Sequence, residues 1–202
     1  MWLMIPNQLL YYQEMLNEST ELVSADEVKK IISRLSEEIT DTLKDLNPLI
    51  VTVLYGGMTV SLEIQQLLKF PYNTGTIQTK SYENNKSTGS VKIISTDIPY
   101  NLKDRSVLLL DDIFDTGKTL SYLYNQFKNF WNAKEVYTAV LLEKEIKDRT
   151  TEYRPDFVGI KIPDVFVFGM GLDLDGYWRG LSSVRYRNID WINRIDWINR
   201  LD

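Results

Sequence analysis

The chain has 202 residues, of which 44% are hydrophobic and 25% are charged, and these proportions predict a folded domain with a buried core rather than a disordered chain. It contains no Cys and no His, which excludes disulfides, zinc sites built on those residues, and Ser-His or Cys-His nucleophilic catalysis. The formal net charge of −5 argues against bulk binding of nucleic acid.

The chain shows no targeting or membrane-spanning pattern. Its first residues, MWLMIPNQLL, lack the basic start and the small-residue cleavage site of a signal peptide. No apolar run reaches the roughly 18 residues that suggest a membrane span. We therefore expect a cytoplasmic protein that binds neither membrane nor nucleic acid, although a local basic pocket could still hold an anion.

The first third of the chain predicts a helix, a strand and a second helix. The sequence SADE, Ser24 to Glu27, is a capping box, and hydrophobic residues follow at helical spacing for about five turns, before Asn47-Pro48. LIVTVLYGG is a short β-branched strand that ends in paired glycines. A second helix is predicted near 58–69.

The rest of the chain continues with strands and one further helix. Strands are predicted near 74–80 and 91–95, with the polar segment SYENNKSTGS between them as a mobile loop. SVLLL is predicted to be a buried strand, and an Asp-rich turn follows it. Residues 117–130 carry apolar side chains at helical spacing, which predicts a helix. Three further strands are predicted, at VYTAVLLEK, DFVGIKI and VFVFG. This alternation predicts an α/β fold with a largely parallel sheet, in which ligands bind beyond the carboxyl ends of the strands.

The segment LLLDDIFDTGKTL, residues 108–120, combines a buried strand, two acids and a turn. Its TGKT is similar to the end of a nucleoside-triphosphate P-loop, but that motif needs a glycine where this chain has Asp112, so the P-loop interpretation is excluded. The turn from Asp115 to Thr119 can point main-chain amides at a phosphate where a helix begins. The hydroxyls of Thr116 and Thr119 can add donors.

Asp111 and Asp112 would repel a free phosphate, but their carboxylates are strong acceptors for the vicinal hydroxyls of a sugar. A ribose 5-phosphate explains both halves of the segment, because the amides hold the phosphate and the acids hold the 2- and 3-hydroxyls. The same acids could help to hold a divalent metal through water or sugar oxygens. The alternative, in which both acids only cap a helix and face solvent, does not explain why they follow a buried strand.

At these residues the chain resembles the type I phosphoribosyltransferases, whose site for phosphoribosyl pyrophosphate consists of apolar residues, two acids and a turn like Asp-Thr-Gly-Lys-Thr. KSYENNKSTGSVKI is similar to the flexible catalytic loop of the hypoxanthine-guanine branch of that family. RPDFVGIKIPDVFVFGMGLDLDGYWRGL is similar to the purine-binding and C-terminal region of the same branch. The resemblance covers about residues 20–185.

The resemblance implies a type I phosphoribosyltransferase-like fold, with a mostly parallel sheet flanked by helices and a small hood. Residues 1–188 would form one domain, with the hood contributed by 1–24 and 155–188, and residues 189–202 would be a repeated C-terminal extension. In the implied reaction of purine salvage, a 6-oxopurine (hypoxanthine or guanine) displaces pyrophosphate from phosphoribosyl pyrophosphate and gives IMP or GMP. Mg²⁺ is the implied cofactor, and we expect a homodimer or homotetramer.

The resemblance also assigns catalytic roles. Asp115 matches the acid that accepts the purine proton, and a carboxylate is a natural base in a chain without His. Ser81 and Tyr82 match the Ser-Tyr pair of the catalytic loop, which would close over the site and exclude water. Lys144 matches the lysine that donates to the 6-oxo group, which selects guanine and hypoxanthine over adenine.

The remaining matches concern the purine ring, the pyrophosphate and the metal. Phe166 matches the aromatic residue that stacks on the base, and Val167 matches the residue whose backbone reads the purine edge. Asp173, which completes the expected purine site of Lys144, Phe166 and Val167, matches the acid that positions a magnesium ion bound by pyrophosphate. Arg179 matches the guanidinium that binds the pyrophosphate itself. The expected metal ligands are Asp111, Asp112 and Asp173.

The LYGG turn can bring main-chain amides close to pyrophosphate. In the family the peptide bond before the position of Tyr55 can be cis, so Leu54-Tyr55 is a candidate cis peptide. Tyr55 stands where many relatives of the family carry lysine, and Val165 stands where some do. These differences affect the expected substrate affinity and subunit contacts but not the expected reaction. The expected phosphoribosyl site is Asp111, Asp112, Asp115, Thr116, Gly117, Lys118 and Thr119, and the expected pyrophosphate site is Leu54, Tyr55, Gly56, Gly57 and Arg179.

Other functions remain open beside this one. They are a regulatory phosphoribosyltransferase-like protein that binds nucleotides and RNA, an α/β nucleotide-binding module without chemistry, and a xanthine-preferring or pyrimidine-using relative. A broad basic face would favour the regulatory protein, and the net acidity of the chain does not. The presence of Asp115, Lys144 and Asp173 favours catalysis on a purine.

The predicted C-terminal extension, IDWINRIDWINRLD, contains a direct repeat. Its apolar residues recur at every third position, a period that fits neither a straight α-helix nor a strand. Trp191 and Trp197 could pack on a neighbouring subunit, since a solitary tail rarely leaves so much apolar surface bare.

Overall fold

The computed structural model describes residues 6–82, 90–99, 101–147, 149 and 151–187. The predicted C-terminal extension and residues 83–89 of the predicted loop lie outside this part of the chain. The side chains of Ser81 and Tyr82, in the same loop prediction, also lie outside it.

Helices and strands alternate along most of the described chain, as predicted. The helices are α1 (Pro6–Asn17), α2 (Ala25–Leu43), α3 (Gly57–Leu67) and α4 (Lys118–Asn125), and a π-helical turn (Gln126–Phe130) follows α4. The strands are β1 (Thr20–Val23), β2 (Leu49–Leu54), β3 (Asn73–Tyr82), β4 (Ser90–Thr96), β5 (Ser106–Phe114), β6 (Glu135–Lys144), β7 (Phe157–Ile162), β8 (Val167–Phe168) and β9 (Val184–Tyr186). None of the helices described is both long and apolar enough to cross a membrane.

The capping box predicted at the start of α2 is confirmed. The backbone N–H of Glu27 donates to Ser24 Oγ at 3.3 Å, and the backbone N–H of Ser24 donates to the Glu27 carboxylate at 2.9 Å. The helix then buries one face against the core, as its spacing predicts. The buried apolar residues of this face are Val28, Ile32, Leu35, Ile39 and Leu43.

Six strands form the central sheet in the order β4-β3-β2-β5-β6-β7. The β3-β4 pair is antiparallel and the other four pairs are parallel, so the predicted mostly parallel sheet is confirmed. Because β2, β5 and β6 are parallel neighbours, the turns that follow these three strands lie at one edge of the sheet.

Alternate residues of β5 pack into two cores, one on each face of the sheet. Leu108 and Leu110 join a cluster with α2 and α3, whereas Val107 and Leu109 join a cluster with α4. All four side chains are fully buried. Helices on both faces explain why the strand is apolar at successive positions up to Asp111.

Two local predictions were wrong. The strand predicted as SVLLL continues through Phe114, so the two acids lie inside β5 rather than in a turn, because pairing with β6 extends as far as Phe114 and Glu143. Phe130, the last residue of the apolar helical spacing predicted over 117–130, is 68% exposed, while Trp131 is 6% exposed. The π-helical turn at the end of α4 has a wider spacing than an α-helix, and it changes which side chain points inward.

A smaller antiparallel sheet, β1-β9-β8, joins the N-terminal segment to the C-terminal one. On its neighbouring helix α1, the Tyr12 ring stacks on Tyr177 with 3.9 Å between ring centres, and Trp178 Nε1 donates to the Tyr12 carbonyl at 3.1 Å. We call this unit the hood. Strand β7, within the segment expected to contribute to the hood, pairs with β6 in the central sheet instead, and only two residues of VFVFG form a strand.

Candidate active site

A cavity lies at the edge of the central sheet where β2 and β5 end, next to the hood. Its volume is about 290 Å³, which suits a small ligand. Residues predicted to bind the phosphoribosyl group, the pyrophosphate and the metal come together in its wall. The predicted residues that line the cavity are Leu54, Tyr55, Gly56, Asp111, Asp112, Asp115, Thr116, Gly117, Thr119, Asp173 and Arg179.

Asp111 and Asp112 are 7% and 8% exposed. The backbone N–H of Asp112 donates to the Asp111 carboxylate at 3.0 Å, and that of Ile113 donates to the Asp112 carboxylate at 2.7 Å. Burial raises the pKa of Asp111 well above its usual value, with a further rise from the charge of Asp112, and burial also raises the pKa of Asp112. A proton, a hydroxyl donor or a cation would each stabilise such a buried pair.

The turn from Asp115 to Thr119 connects β5 to α4. Gly117 has a φ of 81°, and α4 begins at the next residue. Thr116 and Lys118 are exposed, while Thr119 is half-buried against the cavity. The first N–H groups of a helix have no acceptor within the helix, and in this turn the Lys118 N–H makes only a long hydrogen bond, 3.5 Å to Thr116 Oγ1, so the turn can offer amides to an anion.

The turn after β2 lies directly against the acids of β5. The peptide bond between Leu54 and Tyr55 is cis, as the resemblance suggested. A Cβ on Gly56 would lie 1.8 Å from Asp112 Oδ2, so any larger residue at this position would displace the buried Asp112 carboxylate. The main chain of Gly56 therefore reaches the place where the acids meet the cavity.

Asp173 and Arg179 reach the cavity from the hood. Arg179 Nη2 lies 2.7 Å from Asp173 Oδ1, and Arg179 Nη1 donates to the Gly171 carbonyl at 2.7 Å. The backbone N–H of Gly176 donates to the other Asp173 oxygen at 2.6 Å. Gly171 in turn faces Gly56, because a Cβ on Gly171 would lie 1.9 Å from the Gly56 carbonyl oxygen. The hood and the β2 turn are thus in direct main-chain contact.

Lys144, at the end of β6, lies beside the cavity between two carboxylates. Its Nζ is 3.2 Å from Asp115 Oδ2 and 3.3 Å from Asp164 Oδ1. The Lys144 side chain is 12% exposed, so the ammonium is held by these carboxylates rather than by bulk solvent. Asp164 could not be predicted as a partner of Lys144, because nothing local to its Ile-Pro-Asp stretch indicates a lysine partner.

Other predicted residues lie outside the cavity wall. Gly57 is buried at the start of α3, and Lys118 is exposed at the start of α4. Phe166 is 39% exposed, and Val167 is buried in β8. Thr79 of β3 also lines the cavity. Its position could not be predicted from the sequence, because strand alternation does not show which face of β3 meets a ligand.

The residues predicted to hold a metal do not form a preassembled metal centre. Within the described ranges, no three His, Cys, Asp or Glu side chains are grouped closely enough to bind a metal ion. Asp173 is paired with Arg179, and the acids of β5 are nine-tenths buried. These carboxylates therefore fit a magnesium ion that takes most of its ligands from substrate oxygens and water.

Residues 18–175 of the chain match the phosphoribosyl transferase domain. The chain belongs to this family. Among curated phosphoribosyltransferases, the hypoxanthine-guanine enzyme of Bacillus subtilis is 34% identical over 172 residues, which cover 85% of this chain and 89% of that protein. The hypoxanthine-guanine enzyme of Cricetulus griseus is 36% identical over 160 residues, which cover 75% of this chain and 72% of that protein.

A solved phosphoribosyltransferase shares the fold as well as part of the sequence. It is a variant of the hypoxanthine phosphoribosyltransferase from Trypanosoma cruzi in complex with its product IMP, and it is 27% identical to this chain with a TM-score of 0.76. The match covers 89% of this chain and 94% of that one. The fold and the hypoxanthine-guanine branch that the sequence resemblance implied are both confirmed.

Proposed function

We propose that this phosphoribosyltransferase acts in purine salvage. It transfers the 5-phosphoribosyl group of phosphoribosyl pyrophosphate to hypoxanthine or guanine, and the products are IMP or GMP and pyrophosphate. The observation that carries this function is the shared cavity in which the buried acids of β5, the amide turn 115–119 and Arg179 meet.

The end of β5 fits the ribose 5-phosphate part of the substrate. Asp111 and Asp112 accept hydrogen bonds from the 2- and 3-hydroxyls, which are the donors that two buried carboxylates need. The amides of residues 115–119 and the hydroxyls of Thr116 and Thr119 hold the 5-phosphate. A phosphate without its sugar would leave the two acids with only the backbone N–H groups of Asp112 and Ile113 as donors, which favours a sugar phosphate as the ligand.

In the reaction, the bond from ribose C1 to the pyrophosphate oxygen breaks, and a bond from C1 to a purine nitrogen forms. The purine loses a ring N–H proton as this bond forms, and Asp115 accepts it. Lys144, with its ammonium 3.2 Å from Asp115, donates to the 6-oxo oxygen. A 6-amino group would present a donor to that ammonium, so adenine is disfavoured. Phe166 stacks on the ring, and the Val167 backbone reads its edge.

Pyrophosphate is held between the β2 turn and the hood. The main chain at residues 54–57 provides amide donors, and Arg179 provides a guanidinium suited to phosphate oxygens. When bound, Mg²⁺ would neutralise part of the charge on the leaving pyrophosphate. Asp111, Asp112 and Asp173 would help to hold that ion.

The catalytic loop stays a prediction from the sequence. The backbone of Ser81 and Tyr82 ends β3, the strand that pairs in parallel with β2 and so points toward the edge of the sheet that carries the cavity. We place the closure of this segment over the bound substrates, where it would exclude water and limit hydrolysis of the activated ribose.

Assembly and location also stay predictions. A homodimer or homotetramer is expected for this branch of the family, and a mass measurement in solution would distinguish the two. Cytoplasmic location is expected from the sequence, and fractionation of cells that express the protein would test it.

The proposed function is tested by measuring pyrophosphate release with magnesium, phosphoribosyl pyrophosphate and one purine at a time. We expect hypoxanthine or guanine to react at least about 100-fold faster than adenine. Release with adenine alone would contradict the role of Lys144, and fastest release with xanthine would favour the xanthine-preferring relative. Nucleotide binding without release with any purine would favour the regulatory protein.

A further inference from the structure

Arg149, in the segment after β6, has no part in the reaction described above. Its side chain is only 4% exposed, which is rare for an arginine. The guanidinium lies over the Phe114 ring, 4.3 Å from the ring centre, and its Nη2 is 3.7 Å from the Glu143 carboxylate. A cation buried this deeply needs several hydrogen-bond acceptors. The positions of these acceptors indicate which segments of the chain Arg149 connects.

The acceptors are main-chain carbonyls of the two strands that carry the catalytic side chains. Arg149 Nη1 donates to the carbonyl of Phe114 at 3.1 Å and to that of Asp115, and Nη2 donates to the carbonyl of Lys144. Backbone pairing between β5 and β6 ends at Phe114 and Glu143. The guanidinium therefore joins Asp115, which follows β5, to Lys144 at the end of β6, where the pairing between these two strands has stopped.

We propose that Arg149 is a positioning residue that sets the separation between the Asp115 carboxylate and the Lys144 ammonium. This inference rests on the proposed function. The two side chains lie 3.2 Å apart, and one guanidinium fixes both of the backbones that carry them. A purine that gives a proton to one group and accepts a hydrogen bond from the other requires this spacing, and a small displacement lowers the rate strongly.

The shape of the guanidinium matters as much as its charge. Its planar fork offers donors in several directions at once, whereas an ammonium at the same place is a point charge on a flexible stem. Glu143, itself 9% exposed, provides the countercharge, so the ion pair is buried as a unit. A lysine at position 149 would keep the charge and lose the bridge between the strands.

The test measures steady-state kinetics of Arg149→Lys and Arg149→Gln with hypoxanthine and phosphoribosyl pyrophosphate. For both variants we expect kcat to fall and the KM for hypoxanthine to rise by about tenfold each, with the KM for phosphoribosyl pyrophosphate within about threefold of wild type. KM does not depend on the amount of folded enzyme, so this split separates positioning from a general loss of structure. Equal changes in the two KM values, or none, would overturn the proposal.

Arg154→Gln is the matched control, because Arg154 is exposed and donates to carbonyls within its own segment, those of Thr151 and Tyr153. Its kinetic constants should equal those of wild type. If the Arg149 variants fail to fold, Glu143→Gln removes the countercharge and should raise the KM for hypoxanthine alone, by about threefold; wild-type constants in that variant would overturn the proposal. A wild-type enzyme inactive with every purine would overturn the proposed function as well.

Discussion

The two neighbouring acids of β5 are the side chains whose pKa values the fold raises most clearly within the cavity. Burial is the main cause for both, and the negative charge of Asp112 adds to the rise for Asp111. The hydroxyls of a ribose would give these carboxylates the donors that burial removes. Asp115, whose side chain is 46% exposed, is the residue that we propose accepts the purine proton.

Asp115→Asn tests the proton transfer directly. The amide keeps the size of the side chain and the backbone of the turn, but it cannot accept a proton. We expect kcat to fall by about 100- to 10,000-fold. The affinity for phosphoribosyl pyrophosphate, measured by calorimetry, should change by no more than about threefold.

A matched control for this variant is Asp45→Asn, which changes an exposed carboxylate beyond the end of α2 and should leave kcat at the wild-type value. An unchanged kcat in Asp115→Asn would show that another group accepts the proton. A large loss of substrate affinity in that variant would show instead that the turn itself had been disturbed.

The sequence predicts those site residues that belong to short contiguous motifs. Asp111 and Asp112 follow an apolar run and precede the turn that we propose binds phosphate, so their proposed role can be predicted from neighbouring positions. Asp164 and Arg149 carry no such signal. Arg149 donates to the carbonyl of Asp115, 34 positions earlier in the chain, and only the packing of β5 beside β6 brings these residues together.

Helices and strands follow from the sequence where a local signal and a buried face agree. The start of α2 is specified by its capping box, and its core-facing side by its apolar spacing. The length of β5 does not follow from its own sequence, because pairing with β6 continues past the apolar residues as far as Phe114. The π-helical turn after α4 likewise has no marker in the sequence.

Glu27→Gln tests the cap of α2 through its pH dependence. Hydrogen bonds from the side chain and backbone of Ser24 lower the pKa of Glu27 below its ordinary value of 4.5. A carboxylate whose pKa is lowered by folding stabilises the folded state above the ordinary value, and this contribution is lost as pH falls through the folded value. The variant should therefore be less stable than wild type at neutral pH and equally stable in acid.

Chemical unfolding across this pH range measures the difference. Glu37→Gln, at an exposed glutamate of the same helix, is the control and should show little difference at any pH. A destabilisation by Glu27→Gln that is constant from neutral to acid pH would contradict a charge-based cap.

Gly171→Ala tests the contact between the hood and the β2 turn. The new Cβ would lie 1.9 Å from the Gly56 carbonyl oxygen, so one of the two main chains must move. Because Gly56 lies against Asp112 and the turn is our proposed pyrophosphate site, we expect the KM for phosphoribosyl pyrophosphate to rise about tenfold.

The control for this variant is Gly176→Ala. Both glycines have positive φ, 99° and 89°, so both variants carry a backbone cost of about 1–2 kcal/mol, but a Cβ at Gly176 meets nothing within 4 Å. Steady-state kinetics and thermal unfolding measure the two effects separately. A KM that rises equally in both variants would assign the effect to backbone strain rather than to the contact.

At the scale of the whole fold, the cavity lies where the central sheet meets the hood. A parallel sheet with helices on both faces could be predicted from the alternation of apolar strands and helices. The order of the strands within that sheet could not be predicted. Strand β2 pairs with β5, although the hairpin β3-β4 lies between them in the sequence. Residues 54–57 and the turn 115–119 lie in one cavity because β2 and β5 are neighbours. The cavity therefore could not be predicted from either segment alone.

The central claim is that one cavity holds a ribose 5-phosphate, with carboxylates on the hydroxyls and main-chain amides on the phosphate. A crystal structure of the complex with GMP tests it most directly. We predict that the phosphate lies on the amides of residues 115–119, the ribose hydroxyls on Asp111 and Asp112, and the 6-oxo group on Lys144. A nucleotide bound with its phosphate and ribose away from this cavity would contradict the claim.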